Sequence, residues 1–340
     1  MHHLFLILLN HSIWQKKTPI EYNKVLPNHW EALCALMKAQ AVIGICFDSL
    51  RYMAVESLPP QDIYLRYAGV TNYIKVTNNR MKMALKGLYE LFACIQIQPL
   101  VMKGMSFAMN YPNPSMRMCG DIDLFIPNKY EEAIEFLKNK GYKLEYMEKH
   151  YKFMYEGILI ELHHNIINSP FKEIDHYTIR KIVNNDFEFT TFDLQTEALL
   201  LITHAASHLV GPGIGFRHLC DWVVFLNKHG KEIDFIELDK EIKKRHLKKF
   251  YHVFTTVAHN VLDCCIPQTI NIDHSYLVEK LTNDLFNQGD CGQIERNRRM
   301  SYNRCIYVLM YLRRLLKFLP FSSRITMKVL RMKIKELSHR

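Results

Sequence analysis

The sequence predicts an α+β fold: a small mixed β-sheet flanked by a helical N-terminal region and a helical C-terminal domain. Three observations carry this. Glycine (13) and proline (12) are scarce among 340 residues, so little interrupts helices. Long stretches toward both ends place apolar residues at helical spacing. Between them, over about residues 96 to 165, short apolar runs alternate with turn residues. The expected division is 1–95 helical, 96–190 sheet-bearing, and 191–340 helical with a basic tail.

The elements follow in order. After Pro59-Pro60, Gln61 to Cys94 keeps a helical period broken only by Gly69 and Gly87. Ile97 to Met102 is strand-like and ends at Lys103-Gly104. A short helix, Met105 to Asn110, stops at the Tyr111-Pro112-Asn113-Pro114 loop. Asp121 to Ile126 is the next strand. Asn128 is placed to cap a helix from Lys129 to Lys140, and Gly141 to stop it. Lys143 to Met147 and Tyr151 to Tyr155 alternate like half-exposed strands. Glu156-Gly157 is a tight turn into the strand Ile158 to His163. Asp193 caps a helix through Leu209. Further helices are expected over Phe216 to His229, Phe235 to His246, Lys249 to Cys264, Tyr276 to Asn287 and Arg304 to Leu319. No internal repeat or low-complexity segment stands out.

Hydrophobic residues make up 49% of the chain, enough for a sizeable core. Nine cysteines, an odd number without any CxxC pair, and no convincing secretion leader predict a reduced, cytoplasmic protein. The apolar Leu4 to Leu9 run lacks a basic start and a cleavage site, and no apolar stretch reaches bilayer length. The net charge of +10 is concentrated. Residues 296 to 340 carry thirteen Lys and Arg against the single acid Glu336, which leaves the rest of the chain at −2. This basic end, with the amphipathic stretch CIYVLMYLRRLLKFLPF, suits an anionic partner such as RNA or a membrane surface. It equally suits a helix packed on the core with a solvated basic edge. No motif for sequence-specific DNA recognition is present.

The chemistry-bearing residues cluster around RMCGDIDLFI. On a strand, Asp121 and Asp123 point the same way, and two buried carboxylates side by side are costly unless paired or bound to a cation. In GILIELHHN, Ile158, Ile160 and Leu162 share one face, while Glu161 and His163 share the other. If the two strands are neighbours, Glu161 joins the aspartates. Three carboxylates can hold two Mg²⁺ (or Mn²⁺) ions for phosphoryl chemistry. Lys103 and the Gly104 turn are placed to approach a phosphate, and Arg117 to pair bidentately with a triphosphate.

These residues resemble a known family. VMKGMSFAMNYPNPSMRMCGDIDLFIP, then IELHHNI, then LLLITHAASHLVGPGIGFRHLCDWVVFL are similar to the bacterial uncharacterised nucleotidyltransferase family, within the DNA polymerase β-like nucleotidyltransferase superfamily. The resemblance covers roughly residues 95 to 230. It implies a nucleotidyltransferase core with a two-metal site, which transfers a nucleoside monophosphate from an NTP such as ATP to an acceptor and releases pyrophosphate. Asp121 and Asp123 match the paired metal-binding acids. Glu161 matches the third acid, which binds metal or helps activate the acceptor hydroxyl. Lys103 and Gly104 fall at the phosphate-contacting turn. The wider superfamily commonly has Gly-Ser there, about a dozen residues before the acids. Here the turn is Lys-Gly, Ser106 lies two residues on, and the gap is longer, as in some nucleotidyltransferase toxins.

Two other function classes are open. His204 and His208 share a helical face, and Arg217, His218 and Asp221 follow on the next helix. A metal-dependent hydrolase would use His204, His208 and Asp221 as ligands, although no adjacent His-Asp pair supports it. Alternatively these residues line the substrate cleft with His163, or hydrogen-bond where two helices meet. The third class is an inactive member that only binds nucleotide.

Overall fold

A computed structural model describes residues 1–22, 25–147, 150–167, 170–184, 187–270, 275–292 and 312–338. The chain opens with α1 (His2–Ile13), α2 (Pro27–Ala39) and α3 (Ile43–Ser49), followed by the long α4 (Gln61–Ala93). On α4 the buried positions recur every three or four residues, through Ile63, Tyr67, Ile74, Met81, Leu85, Leu88 and Phe92. That stripe serves two cores in succession. Ile63, Tyr67 and Ile74 join a helical core, and Met81 to Phe92 support the sheet.

The sheet then forms from β1 (Leu100–Met102), β2 (Ile122–Phe125), β3 (Glu145–Tyr146), β4 (His150–Tyr155) and β5 (Ile158–His163), in the order β1-β2-β5-β4-β3. Two helices are interleaved, α5 (Gly104–Ala108) and α6 (Tyr130–Asn139). β2 and β5 run parallel, with Asp123 level with Glu161, while the other neighbours are antiparallel. Glu156 and Gly157 both have positive φ, 49° and 75°, the conformation of a two-residue hairpin turn whose twist matches the strands. The turn fixes the register, so Lys152 pairs with Glu161 and His150 with His163.

The alternation along β2 and β5 decides what faces what. Ile122, Leu124, Ile160 and Leu162 enter the core shared with α4 and α6. Asp123, Glu161 and His163 occupy the alternate positions, on the opposite side of the sheet. A second hairpin, β6 (Ile179–Asn184) and β7 (Phe187–Phe192), docks beside β1, where Thr191 Oγ1 donates to the Val101 carbonyl at 2.6 Å.

The C-terminal helices are α7 (Leu194–Val210), α8 (Phe216–His229), α9 (Phe235–Lys244), α10 (Lys248–Leu262) and α11 (Ser275–Gln288), then a helical run at 312–318 and α12 (Ser323–Ser338). Asp193 caps α7 as expected, accepting from the Thr196 amide at 2.9 Å. Residues of α1 and of α7 to α12 share one apolar core. No helix among the described residues is long and apolar enough to cross a membrane.

Two differences from expectation appear here. The β6–β7 hairpin falls where no strand is expected. Asn128 does not cap α6; both it and Lys129 take positive φ, and no side chain caps that helix. The described part of the helix expected over Arg304 to Leu319 is helical from 312 to 318. Residues 304 to 311 and the basic Arg296, Arg298, Arg299 and Arg340 lie outside the described residues.

Candidate active site

A cleft of about 600 Å³ lies between the sheet and the C-terminal helices. Lys103, Gly104, Asp121, Asp123, His150, Glu161 and His163 line its sheet side. His204, Ser207 and His208 of α7, Arg217 of α8 and Cys291 line the helical side. The parallel pairing of β2 with β5 therefore puts Asp123, Glu161 and His163 on the cleft, with Asp121 just before β2.

The acids are held unequally. Lys103 Nζ donates to Asp123 Oδ1 at 2.8 Å, and His163 Nε2 lies 2.8 Å from the same oxygen. Burial alone would raise Asp123, yet Lys103 and His163 hold it below the usual carboxylate value. Glu161 has Lys152 Nζ at 2.8 Å, with His150 Nε2 at 3.3 Å and His163 Nε2 at 3.5 Å. Burial opposes ionisation there too, but these neighbours keep Glu161 well below its ordinary value. Asp121, just before β2, makes no hydrogen bond or ion pair among the described residues. Burial, then the charges of Asp123 and Glu161, push it up to about 7. An all-oxygen donor set in which one carboxylate makes no ion pair, with Lys103 and Arg217 acting on it only at longer range, suits a hard divalent cation. The residues present thus fit the metal that the sequence suggests. As they stand, the three acids do not all lie within 4.8 Å of one another, whereas the ligand atoms of His150, Glu161 and His163 do.

The turn after β1 takes an unusual backbone form. The positive φ falls on Lys103 (51°, with ψ −125°), and Gly104 is not the left-handed residue. A Cβ at Gly104 would meet only the Asp121 carbonyl, at an ordinary 3.6 Å. Protein packing therefore does not demand glycine there, and its bare face lines the cleft.

Three sequence assignments are corrected. Arg117 borders the cleft but is committed to Asp221 and not open to a triphosphate. It is 1% exposed, with Nε and Nη2 each 2.7 Å from Asp221 and Nη1 donating to the Gly104 carbonyl at 3.0 Å. It fastens the Gly104 turn to α8. Asp221 is committed to that pair and to the Tyr111 hydroxyl at 2.7 Å, so the set His204, His208 and Asp221 is not assembled as metal ligands. Ser106 is buried away from the cleft, its Oγ 3.1 Å from Thr191 Oγ1 on β7. Arg217 does reach the cleft, paired with Asp290 at 2.9 Å.

Sequence reasoning missed His150 and Lys152, the β4 partners of the acids. The signal was there, because a two-residue turn at Glu156-Gly157 places Lys152 opposite Glu161.

Two solved structures are similar over about half of this chain. One is the antibiotic-resistance factor ANT(2'')-Ia, at 11% identity and a TM-score of 0.37, covering 54% of this chain and 99% of that one. The other is an antigenic nucleotidyltransferase-like protein from Paracoccidioides brasiliensis, at 14% identity and a TM-score of 0.34, covering 55% of this chain and 95% of that one. No curated protein matches the chain. Residues 27–263 match the family described as uncharacterised nucleotidyltransferase, a span that contains the sheet, the carboxylates and the first four C-terminal helices. With that match over more than half its length, the chain belongs to the uncharacterised nucleotidyltransferase family.

Proposed function

We propose that this member transfers a nucleoside monophosphate from an NTP to an acceptor hydroxyl, with a divalent cation and release of pyrophosphate. The observation that carries it is the ordered set Asp121, Asp123 and Glu161 at the cleft, Asp123 and Glu161 level on adjacent parallel strands and Asp121 just before the first of them with no ion pair among the described residues. Asp121, Asp123 and Glu161 would hold Mg²⁺ or Mn²⁺. The cation would polarise the phosphate oxygens and offset charge developing between the attacking and leaving oxygens.

The chain's own groups do the rest. His163, buried and 2.8 Å from Asp123, fixes that carboxylate's orientation. Lys103 pairs with Asp123 in this arrangement, and its ammonium is within reach of an incoming triphosphate once a cation takes over that carboxylate. Gly104 leaves its face of the cleft open for a phosphate, and Arg117 keeps the turn in place from behind. Arg217 supplies positive charge from the helical wall. Glu161, kept ionised by His150, His163 and Lys152, is a metal ligand and a candidate acceptor for the hydroxyl proton. His204 and His208 line the side of the cleft where an acceptor would lie.

The test is pyrophosphate release from each of the four NTPs with Mg²⁺ or Mn²⁺, using cell extract as the acceptor source and intact-mass analysis of the protein. Wild type should release pyrophosphate and Asp123→Asn should not. A folded wild type that binds NTP yet releases none with any acceptor would make this an inactive binding protein.

A further inference from the structure

The helical wall of the cleft holds a second group of ligand atoms, chemically unlike the carboxylates. His204 and His208 lie one turn apart on α7, and His218 meets them from the first turn of α8. Their ring centroids are 4.6 Å (His204–His208), 4.2 Å (His208–His218) and 5.4 Å (His204–His218) apart. One nitrogen from each lies within 4.8 Å of the others. Among the described residues no hydrogen bond joins the three rings. Cys291 Sγ adds a fourth soft atom, 3.9 Å from His208 Nδ1.

Two buried atoms are left over. His218 is 3% exposed, and its Nε2 has no hydrogen-bond partner. Asp290 Oδ1 has none either, although it lies 3.5 Å from His218 Nδ1. Burying polar atoms this way costs free energy unless something completes them. One change resolves both. Nδ1 of His218 accepts from the Gly215 amide at 3.3 Å, and moving the ring proton from Nε2 to Nδ1 exchanges that contact for one to Asp290 and frees the lone pair on Nε2 for a cation. A carboxylate behind a metal-bound imidazole is the usual support for such a ligand. Gly215 makes this docking feasible, because a Cβ there would sit 2.6 Å from the Asp290 amide nitrogen.

We infer that His204, His208 and His218 form a site for a borderline transition-metal ion of the Zn²⁺ class, with Cys291 beside it and Asp290 orienting His218. Ligands of a tetrahedral zinc ion lie roughly 3.3 Å apart, given bonds of about 2.0 Å. Nitrogens already within 4.8 Å reach that spacing by rotamer adjustment. The cations nearest the cluster are engaged elsewhere, Lys103 with Asp123 and Arg217 with Asp290. Nitrogen and sulfur donors select against Mg²⁺, so the site is distinct from the carboxylates across the cleft. His204, His208 and Cys291 line the cleft, which would place the ion in its wall.

The experiment uses the full chain, stripped with chelator and titrated with Co²⁺ in excess Mg²⁺. Visible absorption of a low-symmetry Co²⁺ site should appear at one equivalent and be displaced by Zn²⁺. It should persist in Asp121→Asn. It should be lost in His204→Gln and His208→Gln, with Zn²⁺ affinity down by roughly a hundredfold or more, and fall about tenfold in Asp290→Asn. Melting of the metal-free variants checks that they fold. A wild type that takes up no Co²⁺ or Zn²⁺ overturns the proposal whatever the variants do. So does a signal that survives both histidine changes or disappears in Asp121→Asn.

Discussion

Replacing Asp121 by Asn should stabilise the metal-free protein while removing its response to Mg²⁺. The side chains match in shape, so the change chiefly deletes a charge. In the folded state burial, Asp123 and Glu161 raise the Asp121 carboxyl from 3.8 to about 7. An acid raised on folding keeps its full contribution below the ordinary carboxyl value and loses it as pH rises through the folded-state value. At about 1.4 kcal/mol per pH unit, ionised Asp121 costs at most about 4 kcal/mol above pH 7. Relaxation and water entry reduce this, and about half, ~2 kcal/mol, is the working figure. For a chain of 340 residues that is a rise in Tm of roughly 3 °C near pH 8, shrinking toward zero near pH 4. Differential scanning fluorimetry of wild type and Asp121→Asn across pH, with and without Mg²⁺, reads it directly. Wild type should gain stability on adding Mg²⁺ and the variant should not. A variant less stable than wild type at pH 8 without metal, or one that keeps the full Mg²⁺ response, would refute the reasoning.

Other consequences follow from the same geometry. Mg²⁺ must displace the Asp121 proton, so its apparent affinity by calorimetry should fall about tenfold per pH unit below about 7 and level off above; a flat profile from about pH 5 to 8 would count against the site. Arg117→Ala leaves Asp221 buried and unpaired, and should cost about 3–5 kcal/mol in urea unfolding; a loss under about 1 kcal/mol would mean that the pair is not structural. Gly44→Ala puts a Cβ 2.5 Å from the Met116 carbonyl oxygen and should cost roughly 1–3 kcal/mol, since the segment leading to Arg117 must move; an unchanged Tm would show that it moves freely.

What the sequence disclosed divides along the range of the interactions. Strand alternation alone placed Glu161 and His163 on one face, because side-chain direction on a strand is local, but their meeting with Asp123 needed the pairing of β2 with β5. The long α4 and the Asp193 cap were equally local. Arg117 was misread because its partner is more than a hundred residues away, and an arginine near acids looks alike whether it waits for phosphate or clamps a helix. His218 and Asp221 lie three apart on α8 and both are buried. Only the packing of α7 against α8 shows that His218 meets His204 and His208 while Asp221 turns to Arg117. The β6–β7 hairpin had a readable signal in the alternating FEFTTF run, but no functional residue drew attention to it.

The most direct test of nucleotidyl transfer follows the label. Wild type is incubated with cell extract and Mg²⁺, with each NTP carrying its label on the α-phosphate in one series and on the γ-phosphate in the other. Incorporation of α-label but not γ-label into an acceptor, abolished in Asp123→Asn, is the result this account predicts. Transfer of the γ-label, or α-label incorporation that survives Asp123→Asn, would contradict it.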